Sequence, residues 1–393
     1  MGKFDFDKII DRRGTGALKV DCLEERFGRK DILPFWVADM CFESSPAIIE
    51  AIIERTKHGV FGYTSAPDSY WNSIVDWLSS YNQWKVERDW LAFIPGIVKG
   101  ISFTIDCFLK EGDKVLIQPP VYPPFENVPK LRGKAVVKSF LKEKNGRFEI
   151  DFDDFEKQID EHCKLFILCN PHNPGGRVWT REELQRIAEI CYDKGVLVLS
   201  DEIHSDLVFE GHKHIPFASV SEKAAMNSIT FMAPSKTFNI AGIISSFSVV
   251  PNPELKAKFD AYLELSELTA GHIFAYTATE AAYSHGLEWL EEAKEYIWHN
   301  ICLTKEYLEK NIPEIKPMVP EASYLIWLDC RALGLTQKEL VSFFVNDAKL
   351  ALNDGATFGG EDGYMRMNVG CPKKILEQGL ANLKQAVEQK FRK

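Results

Sequence analysis

Leu165-Phe-Ile-Leu-Cys169, Asn170-Pro-His-Asn-Pro-Gly-Gly176, Arg181–Lys194 and Val196-Leu-Val-Leu-Ser-Asp-Glu-Ile-His204 follow one another along the chain, and their order decides the fold. The first segment is a continuous apolar run of strand length. The second is a turn too rich in Pro and Gly to be helical. In the third, apolar residues recur every three to four positions, the period of an amphipathic helix. The fourth is another apolar strand, and it ends in a carboxylate, Asp201. Strands that are apolar throughout, separated by a helix, describe neighbours in a parallel sheet covered on both faces.

The same alternation extends outward from about residue 90. Leu91-Ala-Phe-Ile94 reads as a strand, Pro95-Gly96 as the turn opening a helix over Ile97–Leu109, and Glu111-Gly-Asp113 as the turn into a strand over Lys114–Gln118. Ala135–Phe140, Ile229–Ala233 and Ser246–Val250 supply further strands. After Pro251 the pattern is helical to about Lys310. Ala322–Asp329 and Tyr364–Val369 then read as strands of a smaller layer, closed by a helix over Lys373–Lys390. The first 45 residues show no βα repeat and are assigned to that smaller layer. The expected fold class is α/β: a mostly parallel central sheet with helices on both faces in a large domain (46–285), plus a smaller α+β domain (1–45 and 286–393).

With 393 residues the chain exceeds one ordinary core and suits two domains. At 45% hydrophobic and 26% charged it reads as globular. A formal charge of −10 leaves no basic footprint, which argues against nucleic acid or an anionic membrane as partner. No stretch approaches the length of a bilayer span, and Met1-Gly-Lys-Phe-Asp-Phe-Asp7 lacks the apolar core of a signal peptide. Nine scattered cysteines without a Cys-x-x-Cys pair support neither a zinc ribbon nor a redox pair, and the expected compartment is the reducing cytoplasm.

Open α/β sheets bind ligands beyond the carboxyl ends of their strands. Pro95-Gly96, Asn170–Gly176, Asp201–His204 and Ser235-Lys236 all fall at or just after an expected strand end, so four turns meet on one rim. The last pair lies in Ala233-Pro-Ser-Lys-Thr-Phe-Asn-Ile-Ala-Gly242. An Asn-Pro turn, a strand-end Asp and a Ser-Lys beside small residues, in that order, resemble the pyridoxal-phosphate (PLP) enzymes of the aminotransferase superfamily, fold type I. The resemblance implies that PLP is carried by Lys236 as a Schiff base, that chemistry on a small-molecule amino-acid substrate follows, and that metal has no part.

The other site residues read as follows. Lys236 alone would be an ordinary surface lysine; with the flanking motifs it is the amine that forms an imine, is displaced and then moves a proton at Cα. Asp201 is the buried carboxylate that keeps a pyridine nitrogen protonated, with Glu202 pointing the other way; the bland reading is a helix N-cap. Gly96, Ile97 and Val98 open a helix whose free N–H groups suit a phosphate dianion, with the Ser235 hydroxyl added. Tyr122, in a stiff Pro-rich loop, offers an aromatic face to stack on the ring. Asn173, otherwise a polar turn residue, matches the family asparagine that bonds the cofactor's phenolic oxygen and reaches the substrate carboxylate. One Asn-Pro peptide of this turn, Asn173-Pro174, is expected to be cis. His204 is either a satisfied strand-end histidine or, by the resemblance, a neighbour of the phenolic oxygen; with Asp201, Glu202, Asp206 and His212-x-His214 it also invites a metal reading, which no zinc spacing supports. Arg366, in the apolar strand Tyr364-Met-Arg-Met-Asn-Val-Gly370, needs an anionic partner if buried: an internal salt bridge, or the substrate α-carboxylate. Tyr63, in Phe61-Gly-Tyr-Thr64, matches the tyrosine that reaches from one subunit into the phosphate site of its neighbour, which implies a homodimer with shared active sites. By themselves, Tyr63 and Tyr122 are packing residues.

Arg12-Arg-Gly-Thr15 with Lys19 and Asp21, Phe35-Trp-Val-Ala-Asp-Met40 and Gly211-His-Lys-His-Ile-Pro-Phe-Ala-Ser219 resemble a branch of the superfamily, the cystathionine β-lyase-like C–S lyases (the MalY/PatB group). The chain departs from that group's common pattern at Cys41, often Asp, and at Val20, often Trp. Ile244, eight residues past Lys236, stands where many aminotransferases place a phosphate-binding Arg, a change shared with the lyases. The implied reaction is α,β-elimination of L-cystathionine or a related cysteine thioether to pyruvate, ammonia and a thiol. The alternatives are an aminotransferase on the same fold and a PLP-containing regulatory binding protein. A nucleotide-binding dehydrogenase would need a Gly-rich loop the chain lacks; Gly14-Thr-Gly16 is not one.

Overall fold

A computed structural model describes residues 2–392. Its largest sheet has seven strands, ordered Leu91–Ile94, Ser246–Val249, Ser228–Met232, Leu197–Asp201, Cys163–Cys169, Lys114–Ile117, Ala135–Lys138. All pairings are parallel except those of Ser246–Val249, which runs against both neighbours. The mostly parallel sheet expected from the sequence is the one observed.

Side-chain alternation explains how this sheet is covered. Leu165, Ile167, Leu197, Leu199, Ile229 and Phe231 pack on one face with Ile97, Ile101 and Ile105 of the helix Ile97–Phe108. Phe166, Leu168 and Val198 face the other way, against Leu184, Ile187 and Cys191 of the helix Arg181–Asp193. That second helix starts with a capping box, Thr180 with Glu183. Gly100 lets the first helix lie close on the sheet: a Cβ there would sit 2.8 Å from Phe231 and 3.0 Å from Ile94.

The helical stretch after Pro251 is three helices, Pro253–Leu265, Ile273–His285 and Leu287–Asn311. A second, antiparallel sheet contains Lys316–Met318, Leu325–Asp329, Tyr364–Asn368 and Asn353–Asp354. Two of these strands, and the hairpin Lys142–Lys144 with Arg147–Glu149, escape a reading of periodicity because two or three residues define no period. The N-terminal segment folds into short helices at Leu18–Asp21 and Leu23–Phe27, and Leu33–Pro34 pairs in parallel with Leu350–Ala351. Among the described residues no helix is long and apolar enough to cross a membrane.

Candidate active site

The carboxyl-end rim of the large sheet holds a cavity of about 280 Å³. Gly96, Ile97, Val98, Tyr122, Asn173, Asp201, His204, Ser235 and Lys236 all line it. Alternation on one strand separates the two adjacent acids. Asp201 shares parity with Leu197 and Leu199 and lines the cavity. Glu202 follows Val198 and Ser200 and is engaged elsewhere, by Ser200 Oγ at 2.8 Å, His214 Nε2 at 2.7 Å and the Phe217 amide at 2.8 Å. His214 is thereby committed to Glu202, while His212 lies 3.9 Å from Glu321. Among the described residues no cluster of three His, Cys, Asp or Glu side chains could hold a metal ion.

Lys236 sits in a single helical turn, Pro234–Thr237, where the sequence reading has an open turn. Pro at its first position explains the difference, since its fixed φ suits a helix start. Thr237 anchors the turn from behind, its hydroxyl donating to buried Asp206 at 2.9 Å. The Lys236 ε-amine donates to the Ala38 carbonyl at 2.5 Å. Burial, reinforced by the nearby Arg366 guanidinium, lowers its pKa to about 8. Burial has the opposite effect on Asp201, pushing the carboxyl up to about 7; the Ile203 amide, donating at 3.1 Å, resists the shift. His204, buried, is brought down to about 3 and is therefore neutral, and its Nδ1 has no protein partner.

The helix Ile97–Phe108 begins at this cavity without a side-chain cap. Its N-cap, Gly96, has φ 110° and ψ 142°, a conformation closed to residues with a Cβ. Its first amides are thus available to an anion, which is the use the sequence reading assigns them. Ile244, in the left-handed region at φ 53°, also lines this end, with Ser245 beside it.

Arg366 is buried on the strand Tyr364–Asn368, opposite Trp327 and Asn353. No carboxylate pairs with it among the described residues. It donates to Asn173 Oδ1 at 3.0 Å, Asn353 Oδ1 at 2.7 Å and the Trp36 carbonyl at 3.0 Å, and its Nε has no partner. A fully buried guanidinium held only by neutral acceptors remains an anion receptor. Burial lowers its pKa to about 10, so it stays charged at neutral pH. The Asn170-Pro171, Asn173-Pro174 and Pro119-Pro120 peptides are all cis, one more in the Asn-Pro turn than expected.

Two candidates do not line the cavity: Arg366 reaches its wall through Asn173, to which it donates at 3.0 Å, and Tyr63 has a fully exposed side chain, at 114%. Other lining residues carry no motif that marks them in the sequence. Cys169 is one, although it is paired in register with Asp201. Ala38 is another; it lies inside Phe35–Met40, a segment read only as a family marker. Asn353, which orients Arg366, left no signal at all.

An amine and a carboxylate lining a cavity at an uncapped helix end, with a guanidinium behind Asn173, define a class of protein, and the comparisons agree. The family model for aminotransferase class I and II matches residues 30–383, and the chain belongs to that family. Within it, cystathionine beta-lyase PatB of Bacillus subtilis (strain 168) is 45% identical over 385 residues, covering 98% of this chain and 100% of that relative. A PLP-bound putative aminotransferase from Clostridium difficile 630 matches with a TM-score of 0.96 at 43% identity, over 98% of this chain and 100% of that one. The PLP-bound C–S lyase from Staphylococcus hominis matches with a TM-score of 0.90 at 33% identity, over 98% of each chain.

Proposed function

We propose that the chain is a PLP-dependent carbon–sulfur lyase that converts L-cystathionine or a related cysteine thioether, with one water, to pyruvate, ammonia and a thiol: α,β-elimination releases the thiol, and water hydrolyses the remaining C–N bond. The observation that carries this reading is a buried ε-amine and a buried carboxylate lining one cavity, with a buried, anion-free guanidinium held against its wall by Asn173. Similarity to a cystathionine beta-lyase and to a C–S lyase, with Ile244 where many aminotransferases carry Arg, favours elimination over transamination.

The residues present fit the cofactor. The amides of Ile97 and Val98, with Gly96 and the Ser235 hydroxyl, would hold its phosphate; Asp201 would face its ring nitrogen, Tyr122 one ring face, and Asn173 and His204 its phenolic oxygen. Bound there, PLP supplies an aldehyde carbon that takes up the substrate amine and a cationic ring that accepts electrons from Cα. Arg366, with Asn173, docks the substrate α-carboxylate and so fixes which Cα bond faces the ring. Lys236 then removes the α-proton. With its pKa lowered to about 8, about half of its amine is neutral at that pH, which makes it a competent base there. As the β C–S bond breaks, the same lysine carries the proton to the departing thiolate.

The direct test is purified, yellow protein incubated with L-cystathionine, with pyruvate and free thiol assayed together. Both rising together is the expected result. Turnover that requires a keto acid and releases no thiol would identify an aminotransferase, and slow turnover of every thioether amino acid would favour a regulatory binding protein.

Arg366→Lys keeps the charge but loses the two-pronged geometry, so kcat/KM is expected to fall about 10²-fold, mainly through KM. An unchanged KM would remove Arg366 from the carboxylate site. A homodimer with shared sites is also proposed, supported by exposed Tyr63 with Val60 and Phe61 beside it. Mixing unfolded Lys236→Ala and Tyr63→Ala chains and refolding them should restore about a quarter of wild-type activity, because one site of each mixed dimer is intact. No restoration would place Tyr63 outside a shared site. Nine free cysteines fit a reducing, cytoplasmic compartment.

A further inference from the structure

The backbone from Trp36 to Asp39 runs beside the cavity as a strap, and each of its carbonyls accepts a hydrogen bond from a side chain remote in sequence. Trp36 accepts from Arg366 at 3.0 Å and Val37 from Asn368 at 2.6 Å. Asp39 accepts from Asn368 at 2.7 Å and from buried Lys19 at 2.9 Å. The Ala38 carbonyl accepts two, from the Lys236 ε-amine at 2.5 Å and from the Tyr324 hydroxyl at 3.0 Å. The strap therefore links the guanidinium that awaits a carboxylate to the amine that moves the proton, two residues apart on one rigid backbone.

Tyr324 is fully buried and has the Ala38 oxygen as its acceptor. Burial raises its phenol pKa far above the usual range, so it remains a donor at any working pH. Its O–H occupies part of the acceptor capacity of that carbonyl and leaves the rest for a second donor. During turnover Lys236 is free of the cofactor, and an untethered lysine has several rotatable bonds to order before it can deliver a proton to one atom.

We propose that the Ala38 carbonyl, oriented by the Tyr324 hydroxyl, is the resting site of the free Lys236 ε-amine, and that Tyr324 is a positioning residue for proton transfer. This rests on the reading of Lys236 as the amine released during turnover. The titratable and charged groups around that amine are Arg366, Asp39, Asp201, Lys19 and neutral His204, whose ring meets that of Tyr324 edge-on; the substitution below keeps all five and the aromatic ring.

The test uses the full chain freed of cofactor and trace acylation of Lys236 by acetic anhydride, read by peptide mass across a pH series. In Tyr324→Phe the positive end of the O–H dipole no longer competes for the Ala38 oxygen, so the ammonium form gains. The acylation midpoint is expected to rise by about half a unit to one unit. Tyr283→Phe removes a phenol from the aromatic core around Trp77 and Phe247, away from the strap, and is expected to leave the midpoint in place. In the cofactor-loaded protein Tyr324→Phe should lower kcat about tenfold with KM within about twofold, and raise the α-deuterium isotope effect on kcat. A Tyr324→Phe acylation profile superimposed on wild type, or an equal shift in Tyr283→Phe, would overturn the proposal. Borohydride labelling separates this from the parent reading. If Lys236 is labelled but the profile does not move, only the role of Tyr324 fails; if Lys236 is unlabelled, the cofactor assignment beneath it fails as well.

Discussion

Lys236→Ala is expected to abolish elimination, a loss of at least about 10⁴-fold, while the protein keeps its fold. The fold survives because the turn is held by other bonds: Thr237 to Asp206 at 2.9 Å, the Phe238 amide to Pro234 at 2.9 Å and the Ile240 amide to Ser235 at 3.1 Å. The lysine itself adds little stability. Its amine is lowered from 10.5 to about 8, so burying the charged form at neutral pH is unfavourable, and truncation relieves that strain. Pyruvate release together with the circular dichroism melt checks both halves. Elimination retained in this variant would exclude Lys236 as the base.

Asp201→Asn is expected to separate activity from stability. Asparagine carries no negative charge to hold a proton on the ring nitrogen, and a loss of about 10³-fold in kcat is expected. In the cofactor-free protein the same change should stabilise above neutrality. Burial raises Asp201 from 3.8 to about 7. Between those values the folded state keeps a proton that the unfolded state has released, so this group's contribution to stability falls as pH rises. By pH 8 the folded protein holds an ionised buried carboxylate at a cost of at most about 4 kcal/mol, partly offset by Lys236. Asparagine removes that cost, so urea melts of the two proteins should coincide near pH 4 and diverge in favour of the variant at pH 8. A wild type more stable than the variant at pH 8 would mean that the carboxylate has a compensating partner.

These predictions concern residues whose types are legible without coordinates. A carboxylate after four apolar residues and a serine, or an arginine inside an apolar strand, is costly to bury, and that cost is visible in one dimension. Parity along Val196–Glu202 was equally readable, and it sends Asp201 and Glu202 to opposite faces. What stayed hidden are neutral partners: Asn353 on Arg366, and the carbonyls of Trp36 and Ala38 on Arg366 and Lys236. A backbone carbonyl has no sequence signature, since every residue carries one.

Pattern along the chain is enough to specify the parallel sheet, the rim on which the loops gather, and the charged groups at that rim. These follow from periodicity, strand parity and the expense of placing a charge in an apolar run, all local properties of the chain. Three features come from the folded chain alone: the carbonyl that receives the lysine, the absence of a carboxylate on Arg366 among the described residues, and the full exposure of Tyr63 outside its own chain's cavity. Those are distances between segments as far apart as Ala38 and Tyr324, and packing, not pattern, sets them.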